Sequence, residues 1–146
     1  MPAPASTAWF YWALLSAVLA ALTAIFAKLG LQGVDSDFAT LIRTFIIVFV
    51  LAGFVFHAGK WSNPLALPAK TWLFLTLSAL ATGASWVCYF RALKLGHASQ
   101  VAPVDKLSVV LVAVIACLFL GERPALREWF GIALVGLGVL VLGFRR

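Results

Sequence analysis

Five apolar runs, over residues 8–31, 38–57, 71–93, 99–120 and 126–144, divide this chain and decide its fold class. A helix rises about 1.5 Å per residue and the hydrocarbon core of a bilayer is about 30 Å thick, so each run can cross it. The polar residues collect in the short connections, where Gly, Pro, Asn and Asp mark turns. Composition points the same way. A soluble domain is about 45–50% apolar and about 25% charged. Here the values are 64% and 11%, with a mean hydropathy of +1.06, which leaves too little polar surface to cover a globule in water. The expectation is an all-α integral membrane protein: one domain over residues 1–146, with five transmembrane helices in contact with the lipid bilayer.

The net charge of +6 is spread singly or in pairs between the runs. No basic stripe with interleaved aromatics exists, so nucleic acid is not an expected partner. Basic residues at helix ends are what membrane topology requires. On the N-terminal face, side A, lie four: Lys60, Lys70, Arg123 and Arg127. On side B lie seven: Lys28, Arg43, Arg91, Lys94, Lys106, Arg145 and Arg146. The count favours side B in the cytoplasm, hence an outside N-terminus and a cytoplasmic C-terminus, and the expected location is the inner (plasma) membrane. If Arg43 and Lys106 are too deep to count, the bias falls to five against four, which permits insertion both ways. Cys88 and Cys117 fall late in two successive runs, near opposite membrane faces, too far apart for a disulfide. The N-terminus lacks the positive n-region of a signal peptide, so the first run is expected to be retained.

Trp9, Tyr11 and Trp12 open the first run as an interfacial belt, and Ala13, Ala17, Ala20, Ala24 and Ala27 form a small-residue stripe suited to close packing. Lys28, one turn from its end, can snorkel outward. Ser36 or Asp37 is expected to cap the second run. Arg43 follows about 9 Å beyond that cap, either as a snorkelling arginine or as a charge turned inward to a partner or substrate. In the third run Ser78, Thr82, Ser85 and Tyr89 share one face. They would line a water-accessible path, or else pack with hydroxyls bonded to their own preceding carbonyls, which Tyr89 cannot do. Arg91, Lys94 and then Gly96 close that run.

The fourth run carries an acid and a base, Asp105 and Lys106, and such groups inside a span raise a functional question. Ser99 is the expected N-cap, with Pro103 in the first turn. Asp105 would then sit in the field of a helix N-terminus or serve in coupling, and Lys106 would snorkel. Neighbours on a helix project about 100° apart, so the two are not expected to pair. Gly121-Glu122-Arg123 ends the run abruptly. In the fifth run Gly131 with Gly138, and Gly136 with Gly143, repeat at heptad spacing as candidate helix–helix or dimer contacts. Arg145 and Arg146 form a terminal anchor. No P-loop, metal-ligand cluster or nucleophile–base arrangement is visible, so no cofactor, metal, primary pumping or enzymatic chemistry is expected.

Five spans put the two termini on opposite sides, so a second copy can insert inverted relative to the first. Many transporters are built from such inverted repeats, with the substrate site at the repeat interface. The order Arg91-Ala-Leu-Lys-Leu-Gly-His-Ala-Ser, then Pro103, then Leu-Phe-Leu-Gly121-Glu122, then Gly131 and Gly136 to Gly138, resembles the EamA repeat of the drug/metabolite transporter superfamily. Arg43 early in the second run, and Trp86 ahead of Arg91, match that repeat too. The resemblance covers essentially the whole chain and is to the short bacterial and archaeal branch with a single five-span repeat.

That resemblance implies a secondary transporter of small metabolites, amino-acid, nucleotide or sugar-like, acting by alternating access as a homodimer, with an antiparallel arrangement expected. Its path would be lined by Ser78, Thr82, Ser85, Trp86 and Tyr89, with Arg43 and Lys106 at an electropositive side B end and Asp105 as the coupling candidate. Such a field suits an anionic or zwitterionic substrate. Two other readings stand beside it. One is a subunit of a lipid-linked sugar flippase; the other is a non-transporting scaffold that binds another membrane protein through the glycine-bearing fifth helix.

Overall fold

The computed structural model describes residues 8–143, so the expected Arg145–Arg146 anchor and the last residue of the fifth run lie outside it. Its helices are α1 (Ala8–Gly30), α2 (Ser36–His57), α3 (Ala69–Leu95), α4 (Ala98–Asp105), α5 (Leu107–Ile115) and α6 (Leu126–Gly143), and no strand occurs among the described residues. Taking Ala98–Leu120 as one broken span, five segments are long and apolar enough to cross a membrane. The protein is an all-α, multi-pass membrane protein.

Local chemistry explains the boundaries. Asp35, rather than Ser36 or Asp37, caps α2: its Oδ1 accepts from the backbone N–H of Asp37 at 2.9 Å and of Phe38 at 3.1 Å. Asp and Ser both cap well, and the extended backbone of Asp35 (φ −65°, ψ 137°) decides among the three residues. Gly59 ends α2 with φ 64°, left-handed backbone that glycine adopts without strain. A short turn over Pro64–Ala66 is capped by Asn63 Oδ1, and the Trp72 indole N–H donates to the Pro64 carbonyl at 3.0 Å, tying α3 to its preceding loop. Glu128 Oε2 accepts from the Ala125 N–H at 2.7 Å, one half of a capping box at the start of α6.

The fourth run departs most from expectation. Its helix starts at Ala98 behind His97, so Ser99 lies inside the helix and is not its cap. Pro103 is therefore the sixth helical residue. Its missing N–H leaves the Ser99 carbonyl without the usual i+4 donor. Three residues on, the Lys106 N–H bonds the Pro103 carbonyl at 2.9 Å, a tighter turn, with Lys106 at φ −72° and ψ −3°. The helix breaks there and resumes as α5. At its far end a single wide turn over Ala116–Leu120 leads into Gly121 at φ 69°, the left-handed stop read from Gly121-Glu122.

The chain divides into two compact units. In the unit of residues 27–95, α2 and α3 pack as an antiparallel pair whose close contacts run from Asp37–Arg91 to Arg43–Trp86. Leu31, Ser36, Thr40, Phe90 and Leu93 are buried there, Leu93 completely. In the unit of residues 1–26 and 96–146, α6 lies along both α4 and α5 and buries Val139, and Ala116 is also buried. Most large apolar side chains are exposed, as suits helices surrounded by lipid. In α1, Ala24 of the small-residue stripe is buried, whereas Ala13, Ala17 and Ala20 are exposed.

Candidate functional site

The second and third spans bring together most of the residues singled out from sequence. Arg43 lies on the α3-facing side of α2, and its guanidinium carbon stands 4.4 Å from the centre of the Trp86 ring and 5.2 Å from that of Phe90. Trp86 and Phe90 are four residues apart, hence stacked on one helix face, and form a two-ring cradle. A cation over an aromatic face is attracted by the ring quadrupole, the more so away from water. The cradle leaves one need unmet: Arg43 Nη1 is buried and has no hydrogen-bond partner.

The charge next along the pair is satisfied. Arg91 Nε donates to Asp37 Oδ1 at 2.9 Å, and Arg91 Nη2 donates to Asp37 Oδ2, a bidentate fork that engages both carboxylate oxygens. Lys28 Nζ donates to the Leu93 carbonyl, and Lys94 Nζ to the Val34 carbonyl at 2.8 Å. Lys28 and Lys94 thus tie the end of α1 and the α1–α2 connection to the last turn of α3, and Arg91 does the same for the start of α2. They hold the hairpin's side B end together, and Asp37 neutralises Arg91, so the field expected there is weaker than a count of basic residues implies.

The polar stripe of α3 borders this cradle. At about 100° per residue, Ser78, Thr82, Ser85 and Tyr89 cluster on one side of the helix, and Trp86 lies between them and the Phe90 face against α2. Ser78, Thr82 and Ser85 are exposed and Tyr89 is half-buried. Thr82 Oγ1 donates back to the Ser78 carbonyl at 2.8 Å. Thr23, Thr40 and Thr44 do the same to the carbonyl four residues before each. The hydroxyls of Ser78 and Ser85 make no such bond.

Asp105 and Lys106 belong to the other unit and sit at the helix break. Their expected independence is corrected: Lys106 Nζ is 3.4 Å from Asp105 Oδ2. The projection of about 100° between neighbours holds only while the helix continues, and it does not. The first-turn reading of Asp105 is corrected as well. It is the last residue of α4, next to that segment's negative dipole end, and also precedes α5, so the helix fields oppose one another. Of the α6 glycines, Gly136 and Gly143 face α4 and α5. A Cβ at Gly136 would lie 3.2 Å from Val110 Cγ2, and one at Gly143 would lie 4.0 Å from Val104 Cγ2. Around Gly131 and Gly138 nothing lies within 4 Å.

Two residues of the site escape the sequence. Phe90 carries a signal, its spacing of four from Trp86, but in a chain with twelve phenylalanines that signal selects little. Asp37 reads as a cap, and its link to Arg91, 54 residues away, depends on hairpin register.

A half-buried arginine on aromatic rings beside a hydroxyl stripe, and a broken helix carrying an acid and a base, are features a membrane transport protein can use, and comparison with known proteins agrees. The chain is 58% identical over 137 residues, 94% of its own length and 97% of the other's, to a protein of Sinorhizobium sp. named "Uncharacterized transporter in cobO 3'region". It is 30% identical over 88 residues, 60% of this chain and 77% of the other, to a Yersinia pestis protein named "Probable 4-amino-4-deoxy-L-arabinose-phosphoundecaprenol flippase subunit ArnE". An "Uncharacterized transporter" of Vibrio cholerae matches at 30% over 95 residues, 62% of this chain and 31% of that protein. No solved structure matches. The model of the EamA-like transporter family matches residues 7–144, and on that match this chain, a membrane transport protein, belongs to the EamA-like transporter family.

Proposed function

We propose that this protein is a secondary transporter of small metabolites, amino-acid, nucleotide or sugar-like, in which two five-span copies work as a dimer by alternating access. The observation that carries this reading is the Arg43 cradle beside an exposed hydroxyl stripe in a chain matching a transporter family over residues 7–144. Within residues 27–95, Ser78, Thr82, Ser85, Trp86 and Tyr89 line the path with Arg43 as its basic residue, and Lys106, in the other unit, is a separate path candidate. Asp105, at the break between α4 and α5, is the coupling candidate, because a carboxylate at an interrupted helix can bind and release a proton or cation as the break flexes. Each copy supplies one repeat of residues 1–146, in the inner membrane, with the C-terminus cytoplasmic in one orientation. Gly136 and Gly143 serve packing within the chain. Gly131 and Gly138, exposed with open space around them, form the face offered to a second copy.

A second reading is favoured by one observation, the match over 77% of a relative named as a flippase subunit. In that reading the chain is one subunit of a lipid-linked sugar flippase, and its partner is a different chain.

Uptake and efflux of a metabolite panel by vesicles containing only this protein separates the readings. Saturable movement of a water-soluble metabolite supports the transporter. No movement of the panel in those vesicles, with movement of a lipid-linked sugar once a second chain is added, supports the flippase. With Cys88 and Cys117 replaced, single cysteines at 78, 82, 85 and 89 should react with a membrane-impermeant maleimide. Complete protection of all four in every condition removes the stripe from the path.

A further inference from the structure

Arg43 is half-buried in a span, makes no ion pair with an acid among the described residues, and its buried Nη1 has no hydrogen-bond partner. Residues 27–95 contain two acids, and both are committed. Asp37 gives both oxygens to Arg91, and Asp35 Oδ1 accepts from two backbone amides at the start of α2. Trp86 and Phe90 engage the guanidinium through their ring faces. Ring contact answers part of the charge but satisfies none of the in-plane N–H donors. A buried donor without an acceptor costs free energy that an incoming acceptor recovers. The acceptor that matches a planar fork of N–H groups is a carboxylate or phosphate, two oxygens at a spacing the fork can bridge. Lysine would offer a point charge; an arginine laid flat against rings fixes the direction of approach, in the plane of the guanidinium.

We infer that Arg43, held on Trp86 and Phe90, is the recognition point for an oxyanion, a carboxylate or phosphate group, carried by the molecule that enters the path beside α3. This rests on the transport reading above and narrows its substrate to an anion or a zwitterion that presents its acidic group to α2. Chloride lacks the paired oxygens, and neutral sugars lack the negative charge that makes such a pair strong. A cation is repelled. The oxyanion can arrive on a soluble metabolite or on a lipid headgroup, and the chemistry at Arg43 is the same for both.

Trp86 reports on its own neighbour. In a variant with Trp9, Trp12, Trp61, Trp72 and Trp129 changed to Phe, Trp86 is the sole indole, and its emission follows the guanidinium over its ring. In dodecyl maltoside micelles, which carry no phosphate, sodium phosphate and sodium acetate are titrated against sodium chloride at constant ionic strength. The expected result is a saturable emission change with phosphate and acetate but not chloride. It weakens by at least about tenfold in R43Q and less in R43K, which keeps the charge without the fork. Adding phosphatidylglycerol identifies the source. If that lipid shifts the emission and abolishes the response to phosphate, a lipid phosphate fills the site; if the phosphate titration is unchanged, a soluble anion does. No saturable response to phosphate, acetate or phosphatidylglycerol in the Arg43 protein overturns the inference, whatever the folding of R43Q. An undiminished response in R43Q and R43K overturns it too. The metabolite panel separates this failure from that of the transport reading. Uptake of neutral or cationic compounds without a Trp86 response removes the oxyanion site alone, and a Trp86 response without uptake of anything removes transport alone.

Discussion

Asp37 and Arg91 form the one bidentate ion pair among the described residues, and each is about half exposed, at 47% and 59% of its side chain. Exposed pairs in water contribute little because solvent screens them. Here the fork bridges the start of α2 and the last turns of α3 in a hairpin with few buried side chains, so its geometric role exceeds its Coulomb energy. D37N and R91Q should each lower the apparent Tm in detergent by a few degrees, and the exchanged pair D37R/R91D should recover most of the loss. Equal loss in all three, followed by intrinsic fluorescence, would mean that the fork does not hold the hairpin. Arg91 was legible as a basic residue closing a span; its partner was not, because Asp37 already had a local reading as a cap. Single-residue chemistry offers each polar side chain a nearby use, and only the hairpin register shows which use is taken. Arg43 shows the opposite case. Its depth in an apolar run raised the question of an inward charge, and the ring faces of Trp86 and Phe90 now surround it.

The five spans were legible because apolar length alone marks a membrane helix, and each observed boundary lies within two residues of the run that suggested it, up to the last described residue. What length cannot show is interruption. The fourth run reads as continuous, yet it is two helical segments meeting at Lys106. An interior proline costs a helix about 3 kcal/mol relative to alanine. Pro103→Ala restores a donor for the Ser99 carbonyl and should extend α4 through Lys106, raising the apparent Tm. If the break is the moving part of the cycle, the same change slows substrate turnover by about tenfold or more; unchanged turnover with a higher Tm would make the break a passive kink. The glycines of α6 give a second contrast on one element. Gly136→Ala pushes a methyl to 3.2 Å from Val110 Cγ2, and a β-branched valine on a helix has little rotamer freedom to yield. A loss of about 1–3 kcal/mol is expected from such overpacking. Gly138→Ala meets nothing within 4 Å and should be neutral in the isolated chain, within about 0.5 kcal/mol. Heptad spacing pairs these glycines correctly on a helix, but which pair faces the neighbouring segments depends on how α6 is rotated.

At the scale of the molecule the question is orientation. The seven-to-four basic count weakens to five against four when Arg43 and Lys106 are set aside. Arg43 is turned onto rings within the hairpin, so it is poorly placed to act as a topological signal at the surface. Near balance of this kind lets one sequence insert both ways, and two oppositely inserted copies give the inverted-repeat arrangement with no second gene product. C-terminal fusions to a reporter that fluoresces only in the cytoplasm and to one active only outside it should then both give signal. Removing positive charge from side A with R123Q and R127Q leaves two basic residues there, Lys60 and Lys70, and should fix the C-terminus in the cytoplasm. Removing it from side B with K28Q and K94Q should favour the reverse, although K28Q and K94Q also delete contacts to the Leu93 and Val34 carbonyls, so apparent Tm must be measured alongside. If an antiparallel pair is the working unit, either fixed variant alone should lose transport by about tenfold or more, and co-expression of the two should restore it. A variant fixed in one orientation that transports unaided would instead make the working unit a parallel dimer or a single chain. A uniform cytoplasmic signal from the unaltered protein would remove the antiparallel homodimer, and a partner of a different sequence would then have to supply the inverted half.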